Sequence, residues 1–155
     1  MPEANVVDIS PFTALVAAEG GLAVLGIALP DGSVHSSVAN VGVLAHPLTG
    51  VPVVGVVIVG GARKLCHLRA HPRATATLRA GWRWAAVDGP VEIAGPDDPL
   101  PGIDAERLRL LLREIFVAAG GTHDDWDGYD RVMAAERRAA VLITPARLYG
   151  NRNAR

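Results

Sequence analysis

The sequence predicts an α+β fold: a six-stranded antiparallel sheet closing into a small barrel, with helices flanking it. Three observations carry this. Half of the 155 residues are hydrophobic but only 5% are aromatic, so Val, Leu, Ala and Ile must fill the core, a bias that favours strands. Apolar runs separated by Gly, Pro and Asp turn signals dominate the first 94 residues, which is the pattern of hairpin-linked strands. Only late in the chain does a long 3.6-residue period take over, which places the helices beside a sheet already made.

Each element follows in order. Ser10–Pro11 can cap a short helix over 11–18, because proline suits the first helical position. "LAVLGIAL" (22–29) is a strand and "PDGS" (30–33) a turn in which Gly supplies positive φ. "VHSSVANVGVL" (34–44) and "VPVVGVVIV" (51–59) are the next two strands, joined by "AHPLTG". Gly60–Gly61 breaks the second of these sharply, and a helix runs from Ala62 to Ala70 before Pro72 stops it. "RATATLR" (73–79) and "RWAAVDGPVEIA" (83–94) form a hairpin around "AGW", with a bulge expected at Gly89–Pro90. After the loop at 95–102, Leu108, Leu111, Leu112, Ile115 and Phe116 recur at helical spacing, giving a helix over 104–119 that Gly120–Gly121 ends. A shorter helix is expected from Tyr129 to Arg137, N-capped by Asp127 and anchored by Trp126, and then a last strand over 140–150. The whole is read as a single domain, residues 1–155.

A formal net charge of −1 gives no electrostatic case for a nucleic-acid partner, and the basic "NRNAR" end reads as a solvated tail. Cys66 is the only cysteine, so no internal disulfide or thiolate cluster can form, which fits a reducing cytoplasm. The first ten residues carry acids and a proline where a signal peptide would be basic and then apolar, and no apolar run approaches a membrane span. A cytoplasmic protein without membrane or nucleic-acid partners is the expectation.

Little in the motifs is specific. His67 and His71 have the four-residue spacing of helical zinc ligands but no evident third ligand, so no metal site is expected. The acidic "THDDWDGYD" lacks calcium-loop spacing. Ser36 and Ser37 have no G-x-S-x-G setting, and no catalytic side-chain set emerges. "GGARK" lacks the third glycine of a dinucleotide fingerprint and the length of a Walker loop. A strand, a glycine turn and a helix opening on Arg63–Lys64 still form a generic anion site: close backbone approach, unpaired amides and two cations. On chemistry alone it competes evenly with an ordinary strand-to-helix turn.

The stretch from Gly21 to Ile93 resembles the pyridoxamine-5′-phosphate-oxidase-like split β-barrel family. "LAVLGIALPDGSVHSSVANV", "VVIVGGARKLCHLRAHPRATATL" and "GWRWAAVDGPVEI" carry the likeness, the RK…HPRAT piece being the most specific. "GTHDDWDGYDRVMAAERRAAVLITPARLYG" resembles the C-terminal half of actinobacterial members that use the deazaflavin coenzyme F420. The resemblance implies an FMN-binding split-barrel type of fold and a homodimer with cofactor at the subunit interface. It places Lys64, Arg63 and the Gly60 and Gly61 amides on the cofactor phosphate. Ser37, Val38 and Asn40 lie along the ring system with Val57 and Val59 beside it, and Trp82 and Trp84 approach from the partner subunit. One departure stands out: family members often carry a further basic or hydroxyl residue just before the lysine, where this chain has Gly60, Gly61 and Ala62. The function implied is an F420H2-dependent oxidoreductase that passes a hydride to a small unsaturated or quinone-like acceptor. The alternatives are an FMN-dependent oxidoreductase or a non-catalytic F420- or haem-binding protein.

Overall fold

In the computed structural model, residues 6–151 are described; residues 152–155 of the expected basic tail lie outside them. The chain runs α1 (Ser10–Glu19), β1 (Leu22–Ala28), β2 (Val34–Ala45), β3 (Pro52–Ile58), α2 (Arg63–Ala70), β4 (Arg73–Ala80), β5 (Arg83–Ala94), α3 (Ala105–Ala118), α4 (Trp126–Ala135), β6 (Ala139–Ile143) and β7 (Arg147–Gly150). The strand order is β4-β1-β2-β3-β6-β5-β7, and β4 also pairs with β5. Six antiparallel strands therefore close into a barrel, and β7 is an extra strand laid on β5. The fold is α+β, as the sequence predicts.

Two long strands hold the barrel together while letting it split. The first half of β2 pairs with β1, from Leu22↔Asn40 to Ala28↔Val34, and its second half pairs with β3, from Val41↔Val56 to Ala45↔Pro52. β5 is shared likewise: its first part runs against β4 and β7, and residues 91–94 run against β6. Where a strand changes partner, its former neighbour is left behind. Between β2 and β3 this opens a gap, and α2 starts at the end of β3 that faces it.

Two apolar clusters fill the structure. Inside the barrel lie Leu25, Ile27, Val54, Val56, Leu78, Val87 and Val141, with Phe12 of α1 and Leu65 and Leu68 of α2 fully buried among them. Outside it, Leu111, Leu112 and Ile115 of α3 and Tyr129 of α4 pack on Val53, Ala140 and Leu142. β6 is buried at all five positions because it has apolar material on both faces, so it shows no alternation. α3 can lie flat on the sheet because Gly42 and Gly55 are directly opposed in the β2–β3 register. A Cβ on Gly42 would stand 2.6 Å from that of Ala118, and one on Gly55 would stand 2.9 Å from Ile115.

Several details differ from the sequence reading. The expected last strand is two strands, because the chain turns at Thr144–Ala146 to cross β5, with Ala146 N–H donating to Asp88 O. Gly89 is not bulged on the β4 side, where the register is continuous; it is there because a Cβ would collide with Thr144 O. Ser10 does not cap α1; Ile9 is the N-cap and Asp8 accepts the Ser10 amide. α4 begins at Trp126 because Asp125, not Asp127, caps it through Gly128 N–H. No helix among the described residues is long and apolar enough to cross a membrane.

Candidate functional site

The split between β2 and β3 is the floor of a solvent-open groove of about 760 Å³, within the usual range for ligand sites. On the side facing β3, residues 37–40 of β2 have no strand partner, and residues 57–58 of β3 pair only with β6. Val38, Ala39, Asn40, Val57 and Val59 form this wall, and Lys64 stands at its end. The structure thus brings together five of the residues expected at a site: Val38, Asn40, Val57, Val59 and Lys64. Ser37 joins them indirectly, accepting a hydrogen bond from Lys64 Nζ at 3.4 Å.

Lys64 is the only lysine in the chain. Arg69, Arg73, Arg107, Arg109, Arg113, Arg137, Arg138 and Arg147 all pair with carboxylates. Among the described residues Lys64 and Arg63 have no acidic partner. They open a helix whose N-cap is Ala62, which has no side-chain oxygen to receive the free amides. The first turn also holds no acid. The end of the groove is therefore electropositive from two sources, side-chain charge and unpaired backbone N–H groups.

The two glycines divide the work between them. Gly60 N–H donates to Glu136 O at 3.0 Å, and a Cβ there would meet Arg137 O at 2.6 Å. Gly60 is a packing glycine that lets the end of β3 pass under the α4–β6 turn, and its amide is committed. The expectation that the Gly60 amide is free to face a phosphate does not hold. Gly61 has φ +82 and open space where a Cβ would point. Its left-handed conformation is what turns the chain into α2.

The opposite wall comes from α3 and α4. Phe116, His123, Tyr129, Val132 and Met133 line it, and all escaped the sequence reading as site residues. Phe116, His123, Trp126 and Tyr129 form one aromatic cluster, with centroid separations of 5.2 Å for Phe116–Tyr129 and Trp126–Tyr129 and 5.6 Å for His123 to Trp126 and Tyr129. Trp126 anchors α4 as expected, with the Arg113 guanidinium 5.2 Å from its ring centre. Tyr129 is buried and donates to Leu112 O at 2.8 Å; burial pushes its pKa up to about 12, so it keeps its proton. The signal for this wall was present in the chain: Phe116, Trp126 and Tyr129 are three of its seven aromatic residues, within 14 positions.

Trp82 and Trp84 are not part of this groove. Trp82 sits in the β4–β5 turn with 91% of its surface exposed. Trp84 lines a separate groove against α1 and β7 and meets Tyr149 edge-on at 6.1 Å. The two histidines at zinc-like spacing also part company: His71 is the C-cap residue beyond α2, and His67 packs on His35 with centroids 5.2 Å apart.

No protein-family model matches the sequence, and no curated protein matches it either. Solved structures do. A conserved hypothetical protein from Mycobacterium tuberculosis is similar with a TM-score of 0.64 and 20% identity, over 97% of this chain and 88% of that one. An F420 reductase is similar at 0.57 and 16% identity, over 96% and 98% of the two chains. An FMN-binding protein related to pyridoxamine 5′-phosphate oxidase, from Nostoc punctiforme, is similar at 0.59 and 11% identity, over 88% and 78%. Haem-binding proteins share the likeness. At these identities the likeness establishes the fold alone, the closed six-stranded split barrel.

Proposed function

We propose that the chain is an F420H2-dependent oxidoreductase that reduces a small unsaturated or quinone-like acceptor, working as a single-domain cytoplasmic subunit of a homodimer. The observation that carries this is the placement of Lys64, the one lysine, with no acidic partner among the described residues, at the uncapped start of α2 and at the end of a valine-walled split.

The residues present fit such a cofactor. Open space at Gly61, unpaired amides at the first turn of α2, and the charges of Lys64 and Arg63 suit a phosphate. The unpaired edge of β2 at 37–40 offers peptide groups to a heterocycle's polar rim, and the Asn40 amide lies beside it. Val38, Val57 and Val59 offer an apolar face to its rings. When bound, the reduced deazaflavin supplies a hydride from its C5 carbon. The chain's part is to orient the rings, hold the phosphate and keep bulk water off the reacting carbon. A catalytic triad is not needed for that.

The outer face of β1 and β2 supports the dimer reading. Leu22, Val24, Val34 and Val38 are 59%, 45%, 64% and 62% exposed, and the register sets Val24 directly beside Val38. Such an apolar stripe belongs at an interface. Val38 is both on this face and on the groove wall, so a partner covering the stripe would border the cofactor. In this arrangement the exposed Trp82, with Trp84, is what the partner subunit contributes.

FMN is the second reading, favoured by the same cradle, because one phosphate and a planar apolar ring system describe both cofactors. Absorbance and calorimetric titration of the purified chain with F420, FMN and haemin decides among them. The expected result is saturable binding of F420 tighter than FMN, with turnover of reduced F420 when a quinone is added. A Soret band with haemin and no binding of either phosphorylated cofactor would overturn the proposal.

A further inference from the structure

We propose that His123 is a catalytic residue of the groove, the neutral hydrogen-bond donor to the carbonyl oxygen of a planar conjugated acceptor stacked on the aromatic wall. This rests on the oxidoreductase reading above and adds a residue and an atom to it.

The imidazole is fixed in tautomer and in orientation. His123 Nδ1 accepts the Asp125 N–H at 2.9 Å. A nitrogen that accepts a hydrogen bond carries no proton in the neutral ring, so the proton is on Nε2. The ring is held by Phe116, Trp126 and Tyr129, at 6.1, 5.6 and 5.6 Å between centroids, although it stands in an exposed segment. Nδ1 is turned to its own loop, which leaves Nε2–H, on the other side of the ring, without a partner among the described residues.

The other polar groups of this side of the groove have partners of their own. Tyr129 donates to a backbone carbonyl, the Asp125 carboxylate caps α4, and Arg138 pairs with Glu136 at 2.8 Å. Lys64 and Asn40 belong to the opposite, valine-lined side. His123 is thus the ring of the aromatic cluster that lines the groove with a neutral N–H lacking a partner among the described residues. That pairing selects a chemical class. Aromatic rings favour a flat π system laid against them, and a neutral N–H donor favours an uncharged oxygen acceptor in its plane. A carboxylate or phosphate would need an unpaired cation, whereas Arg138 is already paired with Glu136, and a saturated alcohol would gain nothing from the rings.

The position also suits the reaction. In conjugate reduction the acceptor's β-carbon gains a hydride, two electrons with one hydrogen nucleus, from the reduced cofactor, which is oxidised by two electrons. The carbon–carbon π pair moves toward the carbonyl carbon, and the carbonyl oxygen takes negative charge. A proton from water at the groove mouth then completes the product. The Nε2–H hydrogen bond strengthens as that charge develops, which is how a preorganised donor lowers a barrier.

The test has two arms. In His123→Phe, which keeps a ring in the cluster but removes the donor, F420 affinity should stay within about twofold. The turnover number with 2-methyl-1,4-naphthoquinone should fall roughly 100-fold, as for loss of one oxyanion donor. His123→Gln, which restores an N–H, should recover part of it. The second arm needs no cofactor: nitrogen NMR of the wild-type chain should show the Nε2–H tautomer, and the naphthoquinone should shift that signal while 2-methylnaphthalene, lacking the oxygens, should not. Wild-type turnover in His123→Phe, an Nδ1–H tautomer, or equal shifts from both compounds would overturn the assignment. Failure of the wild-type chain to bind F420 or FMN would instead refute the cofactor reading, and the NMR arm would still judge His123.

Discussion

Replacing Gly60 and Gly61 separately by alanine should give phenotypes that differ in cofactor affinity. At Gly60 the new Cβ would stand 2.6 Å from Arg137 O, 2.8 Å from Arg137 Cβ and 3.0 Å from Glu136 O. Two of these are backbone oxygens of the α4–β6 turn, so relief requires moving the main chain by several tenths of an ångström. The Gly60 N–H···Glu136 O bond at 3.0 Å lies in the same contact and stretches with it. Overpacking of this kind costs about 1–3 kcal/mol. With a urea dependence near 2 kcal/mol per molar, the unfolding midpoint should fall by about 0.5–1.5 M. Gly61→Ala meets no atoms, and its φ of +82 costs about 1–2 kcal/mol as left-handed strain. Its methyl group, however, enters the space assigned to the phosphate. Urea unfolding followed by circular dichroism, with F420 titration of each folded variant, separates the two. Both variants should lose stability, and only Gly61→Ala should also lose F420 affinity. A Gly60→Ala midpoint equal to wild type would refute the packing argument, and unimpaired F420 binding by Gly61→Ala would refute the cradle.

Two further outcomes follow from the outer surface of the barrel. Asp88 is buried and receives Arg73 through two hydrogen bonds, of 2.9 and 3.2 Å, and Arg147 at 3.0 Å. Hydrogen bonding from Arg73 first, then from Arg147, lowers its pKa. A carboxylate depressed in the folded state stabilises above its unfolded pKa, about 4, and that stabilisation is lost as pH falls through the folded value. Asp88→Asn should therefore be less stable than wild type at pH 7, by about 1–2 kcal/mol since both arginines remain largely solvated, and the gap in urea midpoints should close on acidification below about pH 4. A gap that is constant with pH would contradict this. The valine stripe predicts a dimer burying at least roughly 2,000 Å² in total; light scattering at micromolar concentration should give twice the 16.2 kDa chain mass, and Val24→Glu should give the monomer. A monomeric wild type would contradict the shared-site arrangement.

What the chain disclosed was mostly local. Turn chemistry at 30–33 and the helical period from Leu108 to Phe116 put elements within a residue or two of their places, because each depends on neighbours in sequence. The last strand could not be divided at Thr144 in advance: its break exists to carry the chain across β5 at Gly89, a contact 55 residues away. Gly60 and Gly61 look alike in sequence, and only the approach of Arg137 makes one a packing residue and the other a turn. The same limit hid half of the groove. Val38, Val57 and Lys64 were legible through strand pattern and family likeness, whereas Phe116 was legible only as part of a helical period, Tyr129 only as the start of a helix, and His123 only as part of an acidic loop. Their meeting in one groove depends on α3 and α4 folding back over the split in the barrel.

The claim on which the account stands is that Lys64 holds the cofactor phosphate. Its ammonium has a serine hydroxyl at 3.4 Å and no carboxylate partner among the described residues, so its removal should leave the fold intact. A charge-assisted hydrogen bond contributes on the order of 1.5–3 kcal/mol, and its loss should weaken binding roughly 10- to 150-fold. Calorimetric titration of folded Lys64→Ala with F420, beside the wild-type chain, measures this directly. A dissociation constant raised by that factor at unchanged urea stability is the predicted result. Wild-type affinity in the folded variant would mean that the turn at Gly61 only joins a strand to a helix and that any cofactor is held elsewhere.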